Sequence, residues 1–233
     1  MSAVAGIAAT SFTDRIFRVL DRVDYRRIDS ADDRDAVYRL RYDAYSREGS
    51  IQANFSKRFS DNYDDWENAW TFGLIIDGRL ASSFRMHVST PVFPDIPAAH
   101  VFPEILKLEI EAKKVIVDPT RFVADPECAR LYPELPYLTV RLGYLAAEYF
   151  NADTVLATVR AEHQAFYKRV FGHKVICPPR PYPTLTKPIS LMSLDYPAAR
   201  ETIVRRHPFF RSTLFERRML FERSDQVAQR SAA

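Results

Sequence analysis

The run VIVDPTRFVAD, residues 115–125, constrains the fold more than any other stretch of the chain. Val115, Ile116 and Val117 are β-branched and suit a buried strand. Asp118, Thr120 and Arg121 follow within four positions, with Pro119 between them. A carboxylate, a hydroxyl and a guanidinium at a strand end form a chemical group, not a core. Pro119 has no N–H to give a sheet ladder, so the strand needs a bulge or a free edge there. Bulges gather beside active sites because they re-aim side chains. The plainer alternative is a strand that ends in a polar turn with one salt bridge.

The rest of the composition narrows the class. With 233 residues and 47% hydrophobic side chains, the chain fits one soluble globular domain with appendages. Its six glycines leave little material for glycine-rich phosphate loops. Cys128 and Cys177 lack a CxxC partner or a histidine at metal spacing, so neither a disulfide framework nor a metal site is expected. A reducing cytoplasm is the expected compartment. Residues 1–10 lack the basic start of a secretion signal, and no apolar run approaches membrane-spanning length. The net charge of +3 comes with no nucleic-acid motif, so no nucleic-acid partner is expected.

Taken in order, residues 1–22 read as a flexible leader, 23–198 as the main domain and 199–233 as a basic C-terminal arm. VDYRRID, 23–29, is a candidate strand, and Asp32 and Asp33 are candidate caps for a helix over 34–48. Arg41 falls inside that helix's apolar stripe of Val37, Leu40, Ala44 and Tyr45, so it must be paired, face a cleft or reach out to the edge. Residues 50–70 have no clean period and carry Asp61, Asp64 and Asp65; loops of this length inside a domain are usually functional. A hairpin turns at Asp77-Gly78, and its second strand puts Arg85 and His87 on one face with Ala81 and Ser83. Beyond 125 the pattern predicts a loop through DPECARLYPELP. It then predicts a helix 137–150, a strand 154–160, a helix 161–172, a short strand 173–176, a proline-rich loop and a strand 189–196.

This order of elements resembles an α/β fold of the GCN5-related N-acetyltransferase type, with a mixed, mostly antiparallel sheet flanked by helices. The segment TVLATVRAEHQAFYKRVFGHKV is similar to the back half of that fold, where Tyr167 would match a tyrosine that protonates a thiolate leaving group. The sequence departs from acetyl-CoA enzymes after residue 125, where the connection holds no glycine and encodes no backbone cradle for a diphosphate. One branch that fits this departure takes acyl groups chiefly from acyl carrier protein. It comprises the acyl-homoserine-lactone synthases and the long-chain N-acyl amino acid synthases. Arg41-Tyr42, the acids at 61, 64 and 65, Arg85 and Asp118-Pro119-Thr120-Arg121-Phe122 resemble that branch in order. VYRLRYDAYSREGSI resembles the N-acyl amino acid synthases more closely.

The resemblance implies transfer of a long-chain acyl group from an acyl carrier protein thioester to the amino group of an amino acid, with no cofactor and with acyl-CoA a less favoured donor. Asp118 would take the amine proton and Tyr167 would serve the thiolate. Arg41, Arg85, Thr120 and Arg121 would bind the acceptor's carboxylate, and Asp61, Asp64 or Asp65 would order the loop by pairing with one of the arginines. The alternative for this network is a set of buried ion pairs. Lys168, Arg169, Arg205 and Arg206 would steer an acidic carrier protein, unless the basic arm is a solvated or membrane-surface element. Two rival functions stay open: a lactone synthase, and a non-catalytic acyl-binding module on the same fold.

Overall fold

In the computed structural model, which describes residues 11–223, the strands are β1 (Val23–Arg27), β2 (Ala69–Ile76), β3 (Arg79–Ser89), β4 (Ile116–Ala124), β5 (Thr154–Val159), β6 (Lys174–Arg180) and β7 (Ile189–Asp195). They form one sheet in the order β1-β2-β3-β4-β5-β7-β6. Every neighbouring pair is antiparallel except β4 and β5. That parallel pair is registered only at Ile116–Thr154 and Val117–Val155, after which the strands part. Pro119 lies two residues beyond the last pair, so its missing N–H costs the β4–β5 ladder nothing.

The β2–β3 turn is a two-residue hairpin in which Asp77 (φ 50°) and Gly78 (φ 79°) both take the left-handed conformation that matches strand twist. A second irregularity falls inside β4. Ser83 pairs with Val123 and Arg85 with Thr120, so Arg121 and Phe122 together oppose Phe84 alone. The bulge implied by Pro119 therefore sits two residues later, at Arg121, whose φ of 54° is rare for a side-chain-bearing residue.

Helices cover both faces. On one face α1 (Phe12–Leu20) and α6 (Leu135–Phe150) build the larger core with Phe72, Phe84, Met86 and Val117. On the other lie α2 (Ala31–Arg47), α3 (Pro97–Val101) and α4 (Pro103–Glu111); the last two close a smaller core around Phe102, Leu106, Ile116 and Leu191. Helix α2 is capped by Ser30, whose hydroxyl accepts from the Asp33 N–H, so the cap lies just before the two aspartates expected to provide it.

Three expectations need correction. The connection after β4 is not all loop: Asp125 caps a short helix, α5 (Pro126–Leu131). The strand after α7 (Gln164–Phe171) runs on through both prolines to Arg180, and it can do so because β6 is the sheet edge, where a missing N–H is tolerated. The termini are also tighter than predicted. Residues 1–10 of the leader lie outside the described residues, but α1 buries Ile16 and Val19. Residues 224–233 of the arm lie outside them too, while the remainder is packed as α8 (Tyr196–Arg206) and α9 (Leu214–Phe221). Phe209, Phe210 and Phe221 reach the main core, and buried Arg141 of α6 ties the segment down through the Phe209 and Arg211 carbonyls and Glu216. Phe210→Ala is expected to cost about 3–5 kcal/mol in denaturant unfolding. Phe215→Ala, at an exposed position of the same segment, is expected to stay within about 0.5 kcal/mol of the parent.

Candidate active site

Alternation along β3 and β4 sorts apolar from polar. Phe84 and Met86 face α6, whereas Arg85 and His87 face the α2 side together with Thr120 and Asp118, their registered partners on β4. All four are buried. The bulge at Arg121 adds a second guanidinium to this group.

The acidic loop closes over it. Asp61 lies 2.6 Å from Arg85 and also pairs with Arg121. Asp64 lies 2.7 Å from Arg41 and 2.8 Å from Arg85. All three arginines proposed for the acceptor are thus engaged by the loop's own carboxylates, and Arg41 and Arg85 have no exposed surface. Burial works against charge on Asp61, but Arg85 and Arg121 outweigh it and hold the carboxyl well below its ordinary range. Asp64 is depressed in the same way, with burial opposed by Arg41 and Arg85. Asp65 is not part of the network; it is exposed and pairs with Arg34. Aromatic contacts reinforce the closure. Tyr63 and Trp66 pack 5.8 and 5.6 Å from His100, Trp66 lies 5.6 Å from His87, and Arg121 sits 4.6 Å over the Phe59 ring.

Asp118 lies beneath this lid. Its Oδ2 accepts from the Ala98 N–H at 2.9 Å, and Oδ1 has no partner. Complete burial drives its pKa up to about 7, against the opposing pull of the Ala98 hydrogen bond and Arg85. An ordinary aspartate is a poor base; burial makes this one a stronger proton acceptor. His87, cross-strand from it, donates from Nε2 to the Tyr63 carbonyl at 2.8 Å. Burial and the nearby Arg85 lower its pKa to about 3, so it stays neutral.

Where β4 and β5 part, a cleft of about 490 Å³ opens. Thr120, Arg121 and Val123 form one wall, Ala157 and Val159 the other, and Tyr167 lies at the side. Of the expected acyl-slot elements, β5 and the start of β7 line it, while α6 contributes only Pro136 near its start. Thr120 and Arg121 therefore connect the buried acidic site to the cleft. Tyr167 is pushed far above the ordinary phenol range by burial, so its hydroxyl holds its proton firmly and is suited to donating a hydrogen bond.

Lys168 and Arg169 on α7 and Arg205 and Arg206 on α8 come together: Arg206 donates to the Arg169 carbonyl at 3.3 Å. His87 was legible as the alternate neighbour of Arg85, though its role was not. Tyr182, a buried phenol influenced by both Asp118 and Arg121, comes from the proline-rich segment and has no local signal at all.

A mostly antiparallel sheet with one parallel pair that parts into a cleft is a fold of the GCN5-related N-acetyltransferase type, and a buried acid–arginine site lies beside that cleft. Solved structures agree on the fold. FeeM, an N-acyl amino acid synthase from uncultured soil microbes, is 20% identical over 77% of this chain and 94% of its own, with a TM-score of 0.63. A CoA-dependent acyl-homoserine lactone synthase, BjaI, is 16% identical over 76% and 81%, with a TM-score of 0.54. An acyl-CoA N-acyltransferase from Pseudomonas aeruginosa is 18% identical over 74% and 99%, with a TM-score of 0.52. No curated protein matches the sequence. The family profile described as "N-acyl amino acid synthase FeeM" matches residues 36–195, and the chain belongs to that family. It is an N-acyltransferase.

Proposed function

We propose that the protein transfers a long-chain acyl group from an acyl carrier protein thioester to the amino group of an amino acid. The observation that carries this reading is Asp118: a fully buried carboxyl with one unpartnered oxygen, on the strand whose next residues line the acyl-sized cleft. The acceptor nitrogen attacks the thioester carbonyl, the C–S bond breaks, and the ammonium proton passes to Asp118. Asp118 lies two residues, roughly 7 Å along the strand, from Thr120, so the proton moves through a short hydrogen-bonded relay. Arg121 lines the cleft and is the guanidinium best placed for the acceptor's carboxylate. Arg41 and Arg85 act through Asp64 and Asp61 by holding the loop.

Carrier protein is favoured over CoA by the start of α5. There Pro126 has no N–H, and Asp125 already accepts from the Cys128 N–H at 2.9 Å. Asp125 and Glu127 would also face a diphosphate with two carboxylates. The basic surface of Lys168, Arg169, Arg205 and Arg206 suits an acidic protein. This mechanism needs no metal or bound cofactor.

Acyl carrier protein, acyl-CoA and mixed amino acids offered to the purified protein, with free thiol and product mass as readouts, test the reading. N-acyl amino acid formed from the carrier protein supports it. Lactone formed with S-adenosylmethionine would make the chain a lactone synthase, and no thiol release from either donor would leave an acyl-binding module. Tyr167→Phe is expected to lower kcat by about 10-fold or more while leaving the melting temperature within about 2 °C, because it removes only a hydrogen bond to the leaving sulfur.

A further inference from the structure

Most arginines among the described residues pair with acids, and in the C-terminal segment Arg218 pairs with Glu222; a group of four there does not. Arg200, Arg205, Arg211 and Arg217 line one groove of about 410 Å³, floored by Tyr144 and Phe210. None of the four forms an ion pair among the described residues. Arg205 and Arg217 donate only to neutral oxygens, of Thr202 and Ser212 respectively. Two acids border the groove, Glu148 and Glu201, and Glu148 is taken by the Tyr196 hydroxyl at 2.5 Å. Four guanidiniums facing two carboxylates around one concavity leave an excess of positive charge, and a bound polyanion would relieve their repulsion.

A second observation concerns α9, which begins at the rim of this groove, where Ser212 and Arg217 line it. Leu220 and Phe221 face the core. Leu214, Phe215 and Met219 face outward, 60%, 73% and 68% exposed. Phe215 and Met219, four apart, share a helical face, and Leu214 flanks it in the first turn. Large exposed apolar side chains beside unpaired arginines have the two components of an interfacial membrane anchor: an apolar edge for the acyl boundary and cations for anionic headgroups.

We propose that this segment seats the protein on an anionic lipid surface, with Leu214, Phe215 and Met219 entering the interface and the arginine groove taking lipid phosphates. All these residues lie C-terminal to the stretch that matches the family profile, residues 36–195. The proposal is independent of which acceptor is acylated.

Vesicle co-sedimentation of the full chain tests it, using phosphatidylcholine alone and phosphatidylcholine with about 30 mol% phosphatidylglycerol. The expected result is pelleting with the anionic vesicles, little with the neutral ones, and release on raising salt from about 0.1 to about 0.5 M. Arg200→Ala with Arg211→Ala is expected to lower partitioning roughly 25-fold. Leu214→Ser with Phe215→Ser should weaken it at unchanged charge. These four positions are exposed, so the variants should keep the parent melting curve.

Pelleting that is absent, or equal on neutral vesicles, would overturn the proposal. Displacement by millimolar inorganic phosphate with no effect of the apolar pair would make the groove a small-anion site instead. A dimer that the apolar pair dissociates would assign the face to a second copy. Loss of vesicle-free turnover from acyl carrier protein in the Arg200→Ala/Arg211→Ala variant, with vesicle binding intact, would assign the groove to the carrier.

Discussion

Asp118→Asn is expected to abolish most acyl transfer, by about 10²–10⁴-fold, while making the protein more stable above neutral pH. The two effects have one cause. Burial, only partly offset by the Ala98 hydrogen bond and Arg85, raises the folded-state pKa of Asp118 to about 7, well above the ordinary carboxylate range. A carboxyl so raised favours folding in its protonated form. That contribution is fully present below the unfolded pKa and is lost as pH rises through about 7. At pH 8 the native protein therefore carries a penalty of a few kcal/mol, on the order of 1.4 per pKa unit. Asparagine is neutral throughout and its carbonyl can still accept from Ala98, although its NH₂ leaves one new buried donor to satisfy, at about 1–3 kcal/mol. Denaturant midpoints at pH 5 and pH 8 check the stability part: the variant should gain on the parent between them. The parent's rate should rise with pH through about 7, and the variant's residual rate should not. Parent-like turnover in the variant would remove Asp118 from the reaction.

Asp61→Ala is expected to damage the site's framework as severely as a large cavity damages the core. Asp61 is the one carboxylate shared by Arg85 and Arg121, and its own side chain is almost wholly enclosed. Its loss leaves two guanidiniums in the interior with only Asp64 nearby to offset Arg85. Removing one member of a buried ion network costs about 3–5 kcal/mol because the partner stays charged and unsolvated. The loop should lift, and proteolysis within 50–68 should rise steeply. Asp65→Ala, at an exposed acid four residues along, is expected to cost less than about 1 kcal/mol. Double replacement of Asp61 by Asn and Arg121 by Met should be milder than Asp61→Ala, because fewer unpaired charges remain.

Much of this was legible in the residues. The order of elements, the Asp77-Gly78 turn and the polar cluster at 118–121 all follow from local rules of period, turn chemistry and proline. Arg41 announced itself as a charge in an apolar stripe, and it is buried and paired as such a charge must be. What could not be read was partnership. Asp61, Asp64 and Asp65 look equivalent in sequence. Only the 3₁₀ turn at Asn62–Asp65, capped by Asp61, turns two of them inward and leaves the third outside. Nor does any local pattern reveal that Ala98 and Tyr182, 20 residues before and 64 after Asp118, close around it. The order of the termini is hidden for a related reason: α1 and α9 are short, and their order comes from docking on a core that other segments create.

The parting of β4 and β5 also bears on how the chain assembles. Strands β1 to β4 each pair antiparallel with their sequence neighbours, so that half of the sheet follows chain order. Strands β5, β7 and β6 form a second antiparallel group, stitched to the first by two register pairs and by the packing of α6. The sheet is thus two antiparallel units with a thin seam between them, covered by cores that both share. The cleft beside Thr120 and Arg121 is that seam. It exists only once both units have met, and its width is set by how they lean on each other rather than by either unit alone.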